Sequence, residues 1–534
     1  MTFRKAMLLP VSLFIAAGAF SEARWPYIML LAAQLLYVPL ALKIVVKKSD
    51  WFARIYPYIA YPAFCSVALL QIAPMSAAGP VLAGIYFFFC LATALYGFSR
   101  FLKRGFAFLE EWSINSGLMY LALGGAWFFA HEAELETGFP PLINWLTAIH
   151  FHYSAFLLPI FTGLLGRIVK GTLFKWVCTV ILISPMAVAL GITFSRWMEL
   201  ISVLLYIMGI YGLIYLSFKA SFIHRLQRWM VRLSFGALGI TILFSLLYAF
   251  GRLNGQHYAT IDFMLLFHGV LNCVLFAAVG LIGWCMSTPK ERLDLWKFPV
   301  STLRGGNSVG EAFLGGKRSN RTCKGLVDRM EEYEPDIDCH TLSPMIVDFY
   351  ENTGSYRLFA AVHWRTWFKP FAAVYRLASR RIQQINLPLS GKTVEMTGGI
   401  YAIEENLDGR SKPRAWLRKI NRETCFVAVY SSHRSRGRTY MNIALPLPFS
   451  SMIGILRLSQ MGNGLQLSSS DADNDTDSGI YLAFGTYIFK LPLKEVFFVQ
   501  ETKQGMLMAS HNMWIFSIPF LTIEYQILHQ NRIN

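Results

Sequence analysis

The polarity of the chain changes its period near the middle. Through residue 285 it consists of apolar runs separated by short polar breaks, whereas from residue 393 apolar and polar positions largely alternate. Ten early runs approach the roughly 20 apolar residues that cross about 30 Å of hydrocarbon. They are residues 6–20, 26–46, 55–73, 81–99, 112–130, 142–165, 172–192, 198–218, 231–250 and 260–285. The first is short, with Arg4 and Lys5 before it and AGAF (17–20) after it, so it reads either as a span or as a cleavable signal. The later stretches read as strands: TVEMTGGIYAI, AWLRKI, CFVAVYSS, TYMNIALPLP, MIGILRL, GLQLSS, IYLAFGTYIFKL, EVFFVQET and MLMASHNMWIFSIPFLTIEYQIL. Short turns between them favour an antiparallel sheet, curved or closed into a half-barrel. Two helices are expected just ahead of them. LSPMIVDFYEN (342–352) offers Ser343 as N-cap and Pro344 at the first helical position. TWFKPFAAVYRLASRR (366–381) mixes Trp367, Phe368, Phe371 and Tyr375 with Lys369, Arg376, Arg380 and Arg381, which suits anionic headgroups or ordinary amphipathic packing. The expected fold is therefore a polytopic α-helical membrane domain of about ten spans (1–286), a linker (287–340), and a cytosolic α+β domain with an antiparallel, β-rich sheet (341–534).

Composition supports the division. Apolar residues make up 54% of the 534 and charged residues only 15%, against about 25% charged in soluble proteins. Residues 1–286 hold 19 Lys and Arg and 9 Asp and Glu, while residues 287–534 hold 30 and 23. Sixteen of the 19 early cations fall on one side of the alternating spans, among them Lys43, Lys47, Arg100, Arg167, Lys170 and Arg232. The positive-inside rule then places both termini, and the β-rich half, in the cytoplasm of a bacterial cell whose cytoplasmic membrane holds the spans. The eight cysteines show no CxxC spacing and read as single reduced thiols. The bilayer is the expected partner and nucleic acid is not; oligomeric state is not legible.

Candidate chemistry centres on IHFHYSAF (149–156). Residues two apart point about 200° from each other on a helix. His150 thus joins a polar stripe of Asn144, Thr147 and Ser154, while His152 faces elsewhere. The tenth run enters from the same side and carries Asp262, His268 and Asn272, with His268 about 12 Å below its outer end. His150 lies at a similar depth, and His131 and Glu132 would form an outer rim, with Asn115 lining the same region. Ionisable groups at that depth serve as packing hydrogen bonds, as a permeation or proton-relay site, or as ligands. No metal and no cofactor are expected from spacing. Haem b is the alternative, held by His150 or His152 with His268.

Two tempting motifs fail. GEAFLGGKRS (310–319) lacks both the first Gly and the Ser/Thr of a phosphate loop, and reads as part of a basic Gly/Ser linker. DADNDTDSG (471–479) lacks the Gly and Glu of a calcium loop and reads as a hairpin tip. SSHRSRGR (431–438) reads as a basic loop. The aromatic side chains Phe426, Tyr430, Trp514, Phe516 and Phe520 suit a concave apolar face, either plain core or a pocket for a lipid or other amphiphile.

HFHYSAF (150–156), DGRSKPRAWLRKI (408–420), YMNIALPLP (440–448) and ASHNMWIFSIPFLTIEY (509–525) together resemble the bacterial YndJ-like membrane proteins. The resemblance implies a multi-span region followed by a cytosolic domain. Members are sometimes called transporters, and the resemblance carries over no catalytic residue. The expected function is transporter-like, with a midplane histidine site and a ligand-binding β domain. A haem- or quinone-linked redox protein and a non-catalytic scaffold or sensor are the alternatives, and an enzyme is the less favoured class.

Overall fold

The computed structural model describes residues 3–20, 25–72, 77–256, 258–291, 296–470 and 476–532. The chain divides into two compact units, Met1–Phe101 with Phe108–Leu293, and Leu102–Ala107 with Asp294–Asn534. The first unit is helical: α1 (Phe3–Phe20), α2 (Tyr27–Val45), α3 (Trp51–Ile72), α4 (Gly79–Arg104), α5 (Leu109–Glu132), α6 (Pro141–Ile168), α7 (Thr172–Phe194), α8 (Arg196–Lys219), α9 (Arg225–Asn254) and α10 (Ile261–Met286).

Eight of these, not the expected ten, are long and apolar enough to cross a bilayer among the described residues. The apolar part of α1, Met7–Phe20, is too short. Helix α5 has 24 residues but carries Glu110, Glu111, His131 and Glu132 and several glycines. Its low hydropathy has a packing cause. A Cβ added at Gly117 would sit 2.7 Å from the Phe156 carbonyl, and one at Gly125 would sit 2.8 Å from Cys90. The contacts at Gly97 (to Leu118), Gly125 (to Cys90), Gly117 (to Phe156) and Gly163 (to Glu110) show α5 running antiparallel to both α4 and α6 along their length. Small residues let those backbones approach closely.

Turns of π-helix interrupt α2 at Ala33–Tyr37, α6 at Phe151–Leu157, and α10 at Met264–Gly269 and Asn272–Val279. Pro39 and Pro159 follow the first two by two residues. A proline ring clashes with the carbonyl one turn back and lacks an N–H, so a widened turn before it relieves the clash.

The second unit is a β-barrel. Its strands are β1 (Tyr356–Trp364), β2 (Val394–Ala402), β3 (Arg414–Ile420), β4 (Glu423–Ser435), β5 (Arg438–Leu447), β6 (Ser450–Met461), β7 (Gly464–Ser468), β8 (Gly479–Phe484), β9 (Tyr487–Lys490), β10 (Leu493–Glu501), β11 (Leu507–Ile515) and β12 (Ile518–His529). All pairings are antiparallel, in the order β5-β4-β3-β2-β1-β12-β11-β10-β7-β6, and β5 pairs with β6 to close a ring of ten. The expected half-barrel is thus a closed one, with β8 and β9 extending from β6. SSHRSRGR is not a loop: β4 runs to Ser435 and β5 starts at Arg438 around a tight Arg436–Gly437 turn. Residues 471–475 of the expected hairpin tip at 471–479 lie outside the described residues.

Strand β4 shows why its sequence, CFVAV, is apolar without alternation. Phe426, Ala428 and Tyr430 face the barrel lumen, while Val427 and Val429 are buried on the outside beneath Phe298, Leu303, Val309 and Leu314. Those four belong to the stretch expected as a linker, and they pack against the outside of the sheet. A strand covered on both faces reads as a continuous apolar run. Helix α11 (Pro344–Glu351) precedes β1 and helix α12 (Lys369–Ile382) follows it, so they lie at opposite ends of that strand. Ser343 stands at the N-cap position of α11, but its hydroxyl donates to Glu501 at 2.7 Å instead of capping.

Candidate functional site

In the helical unit, His150 and His268 come together: their ring centroids are 6.4 Å apart and tilted by 35°. Each Nδ1 is tied to a backbone carbonyl, His150 to Leu146 at 2.7 Å and His268 to Thr241 at 3.0 Å, which leaves Nε2 of both rings for another partner. Asn272 lies beside them and accepts from the Thr241 hydroxyl at 2.9 Å. Ser154 donates to the His150 carbonyl and Thr147 to that of Ile143, each at 2.7 Å. His150 ends an α-helical segment just ahead of a π turn, and His268 lies inside one.

The remaining expected residues lie elsewhere. His152 is fully buried, with Nδ1 on the Ala148 carbonyl and Nε2 on the Tyr86 hydroxyl, both at 2.8 Å. Neither of its nitrogens is left to hold a ligand. Asp262 is exposed at the start of α10, about 9 Å along the axis from His268. Asn144 accepts from Thr137 at 2.7 Å, and His131 meets the Pro141 carbonyl at 3.0 Å, joining α5 to α6. The main-chain oxygen of Glu132 lies 3.2 Å from where a Cβ on Gly79 would stand, at the start of α4. Asn115 does not join this region. It accepts from Arg100 at 2.9 Å, about 24 Å along α5 from His131.

Asn115 belongs to a buried ionic network at the other end of α5. Arg100 donates to Glu111 and Glu291, each at 3.0 Å, and Arg167 grips Glu111 at 2.7 and 2.9 Å. Lys47 pairs with Glu291 and Lys170 with Glu110. Tyr96 donates to Asp50 at 2.5 Å. The buried Glu110, Glu111 and Glu291 carboxylates thus each meet a cation, as burial of charge requires.

In the barrel, the lumen holds a cavity of about 510 Å³, inside the roughly 300–1,000 Å³ range of small-molecule pockets. Its walls are almost wholly apolar, with Leu358, Met441, Leu456, Val499, Ile523 and Ile527 among the lining side chains. Phe426, Tyr430 and Phe520 line it as the aromatic pattern suggested. Trp514 instead packs with Lys494 at 5.3 Å, and Phe516 is exposed in a turn. Besides its tyrosines, the wall carries Arg418, Glu495 and His511 as ionisable side chains, and His511 Nε2 lies 3.0 Å from Glu495. Phe371, Ala372 and Tyr375 of α12 contribute to the lining.

Comparison with known proteins covers both halves. The uncharacterized membrane protein YndJ of Bacillus subtilis (strain 168) is 41% identical over 457 residues, 84% of each chain. The chain belongs to the YndJ-like family. The YndJ-like family model itself matches residues 28–276, the helices from α2 into α10, and the protein is accordingly a membrane protein. No solved structure matches. In this YndJ-like chain, sequence reasoning missed Arg418 and the Glu110, Glu111 and Glu291 carboxylates. A signal for the latter was present: acidic residues beside positive-inside cations call for a partner.

Proposed function

We propose that this membrane protein binds an amphiphile within its C-terminal barrel and exchanges it with a bilayer. The observation that carries the reading is the apolar lumen of about 510 Å³ inside a closed ring of strands. A ten-strand barrel that served only as a scaffold would fill its interior with side chains. Helix α12 supports exchange with a bilayer. It exposes Phe371, Val374 and Leu377 and carries Lys369, Arg376, Arg380 and Arg381 with no acidic residue, the composition of a helix that seeks an anionic lipid surface. The cationic loops support a cytoplasmic barrel on a bacterial cytoplasmic membrane. Native mass spectrometry of the gently purified chain is expected to find a bound lipid-like molecule. Ala428→Trp, which fills the lumen without adding charge, is expected to reduce it. A wild-type chain that carries nothing and binds no acyl-chain fluorophore overturns the reading.

A second reading rests on the His150–His268 pair, a proton or ligand site between α6 and α10 that serves transport or redox chemistry. Nε2 of His150 and of His268 would be the atoms to hold a metal or haem iron, and carbonyl-tied Nδ1 atoms are typical of ligating imidazoles. Absorption of the purified protein separates the uses of the pair. A Soret band lost in His268→Gln indicates haem, and a colourless protein leaves proton transfer.

A further inference from the structure

One polar side chain in the barrel lumen is left incomplete by its surroundings. Arg418 on β3 is only 9% exposed and lines the cavity. Its guanidinium lies over the rings of Trp416 at 4.6 Å and Phe426 at 4.4 Å. Near it is the Tyr525 hydroxyl, whose pKa burial pushes up to about 12, so that the hydroxyl stays protonated. Its Nε has no hydrogen-bond partner, and no ion pair links it to a carboxylate among the described residues. The chamber's own carboxylate does not serve it. Glu495 is on β10, five strands away in either direction around the ring, and is engaged with His511.

A guanidinium cannot shed its proton, and a buried charge is costly unless a counter-charge meets it. Both aromatic rings lie against the guanidinium, while its Nε stays without a partner at the edge, where Nε and a terminal nitrogen form a fork. That fork fits the two oxygens of a carboxylate. A dianionic phosphate would bring a second charge into a wall with one available cation.

We propose that the barrel takes a single-chain amphiphile with its carboxylate head inward, on Arg418 and Tyr525, and its hydrocarbon chain along the apolar lumen. This rests on the reading of the barrel as an amphiphile chamber. The head is therefore the buried end of the ligand, and selectivity comes from one arginine.

The test uses the full chain in lipid nanodiscs, with a lumen-bound acyl fluorophore displaced by hexadecanoate, hexadecan-1-ol, hexadecyl phosphate or methyl hexadecanoate. Hexadecanoate is expected to bind at least about tenfold more tightly than the alcohol or the ester, the scale of one charge-assisted hydrogen bond. Arg418→Met is expected to erase that preference while the ligand-free protein melts no lower than wild type, because a buried unpaired charge has been removed. Tyr525→Phe, the milder change, is expected to weaken hexadecanoate alone. Equal binding of acid and alcohol by wild type, or a preference that survives in Arg418→Met, overturns the inward carboxylate and leaves the chamber standing. Tighter binding of the phosphate overturns the carboxylate assignment. Failure of the fluorophore and all four compounds to bind overturns the chamber itself.

Discussion

Asp408 and Arg410 have no exposed side-chain surface, and the two bond each other at 2.6 and 3.0 Å. Arg410 also donates to Asn442 and to the Val429 carbonyl, and Ser301 donates to Asp408 at 2.7 Å. Removing one partner strands the other: Arg410→Ala is expected to cost about 3–5 kcal/mol in denaturant unfolding, and the paired exchange Asp408→Leu with Arg410→Met distinctly less. Lys490 gives the pH dependence. Desolvation lowers its pKa from 10.5 to about 8, with its ammonium on the Ser478 carbonyl at 2.8 Å. Between those values the unfolded chain holds more protons than the folded one, so stability rises with pH from about 8 to 10.5. Thermal unfolding across that range is expected to show the rise, and Lys490→Met to flatten it. At this scale the sequence was partly legible. A rise of about 1.5 Å per residue was enough to set His150 and His268 level, and the structure has their rings 6.4 Å apart. Arg418 was not legible, because Ala415 and Leu417 are buried under the outer segment while Trp416 and Arg418 line the lumen. With both faces of β3 covered, alternation does not say which one is inside.

Among elements, the misses have similar causes. Helix α5 was counted as a span from its length, although its glycines and acids serve contacts with neighbouring helices more than with lipid. Strand β1 buries Leu358, Ala360 and Val362 in strict alternation, but it stands between two helices and was passed over. The final stretch looked continuous because its turn, Phe516–Ser517, lacks Asn and Gly although both residues have positive φ, 48° and 66°. Ser517→Gly is accordingly expected to stabilise the barrel by about 1 kcal/mol in thermal or denaturant unfolding. Helix α12 was legible as an amphipathic cationic segment, and its surface behaviour is testable alone. A peptide of Lys369–Ile382 is expected to become helical on anionic vesicles, to stay unfolded with neutral ones, and to lose binding as salt rises.

For the whole molecule, the alternation of cationic loops requires α5 to pass back beside α4 and α6, and their antiparallel contacts allow it. Reporter fusions after Lys48 and after residue 532 are expected to read cytoplasmic at both points; a periplasmic signal from the barrel would reverse the orientation. The order of strands adds a temporal consequence. The ring is joined where β1 meets β12, nine residues against nine in register, and these are the earliest and latest strands to be synthesised. Until the ribosome has released β12, β1 has an open edge and the nascent domain has no enclosed interior. The hydrophobic helices precede the barrel in the chain and leave the ribosome first, so on the reading proposed above a ligand can be enclosed only after β12 has paired with β1.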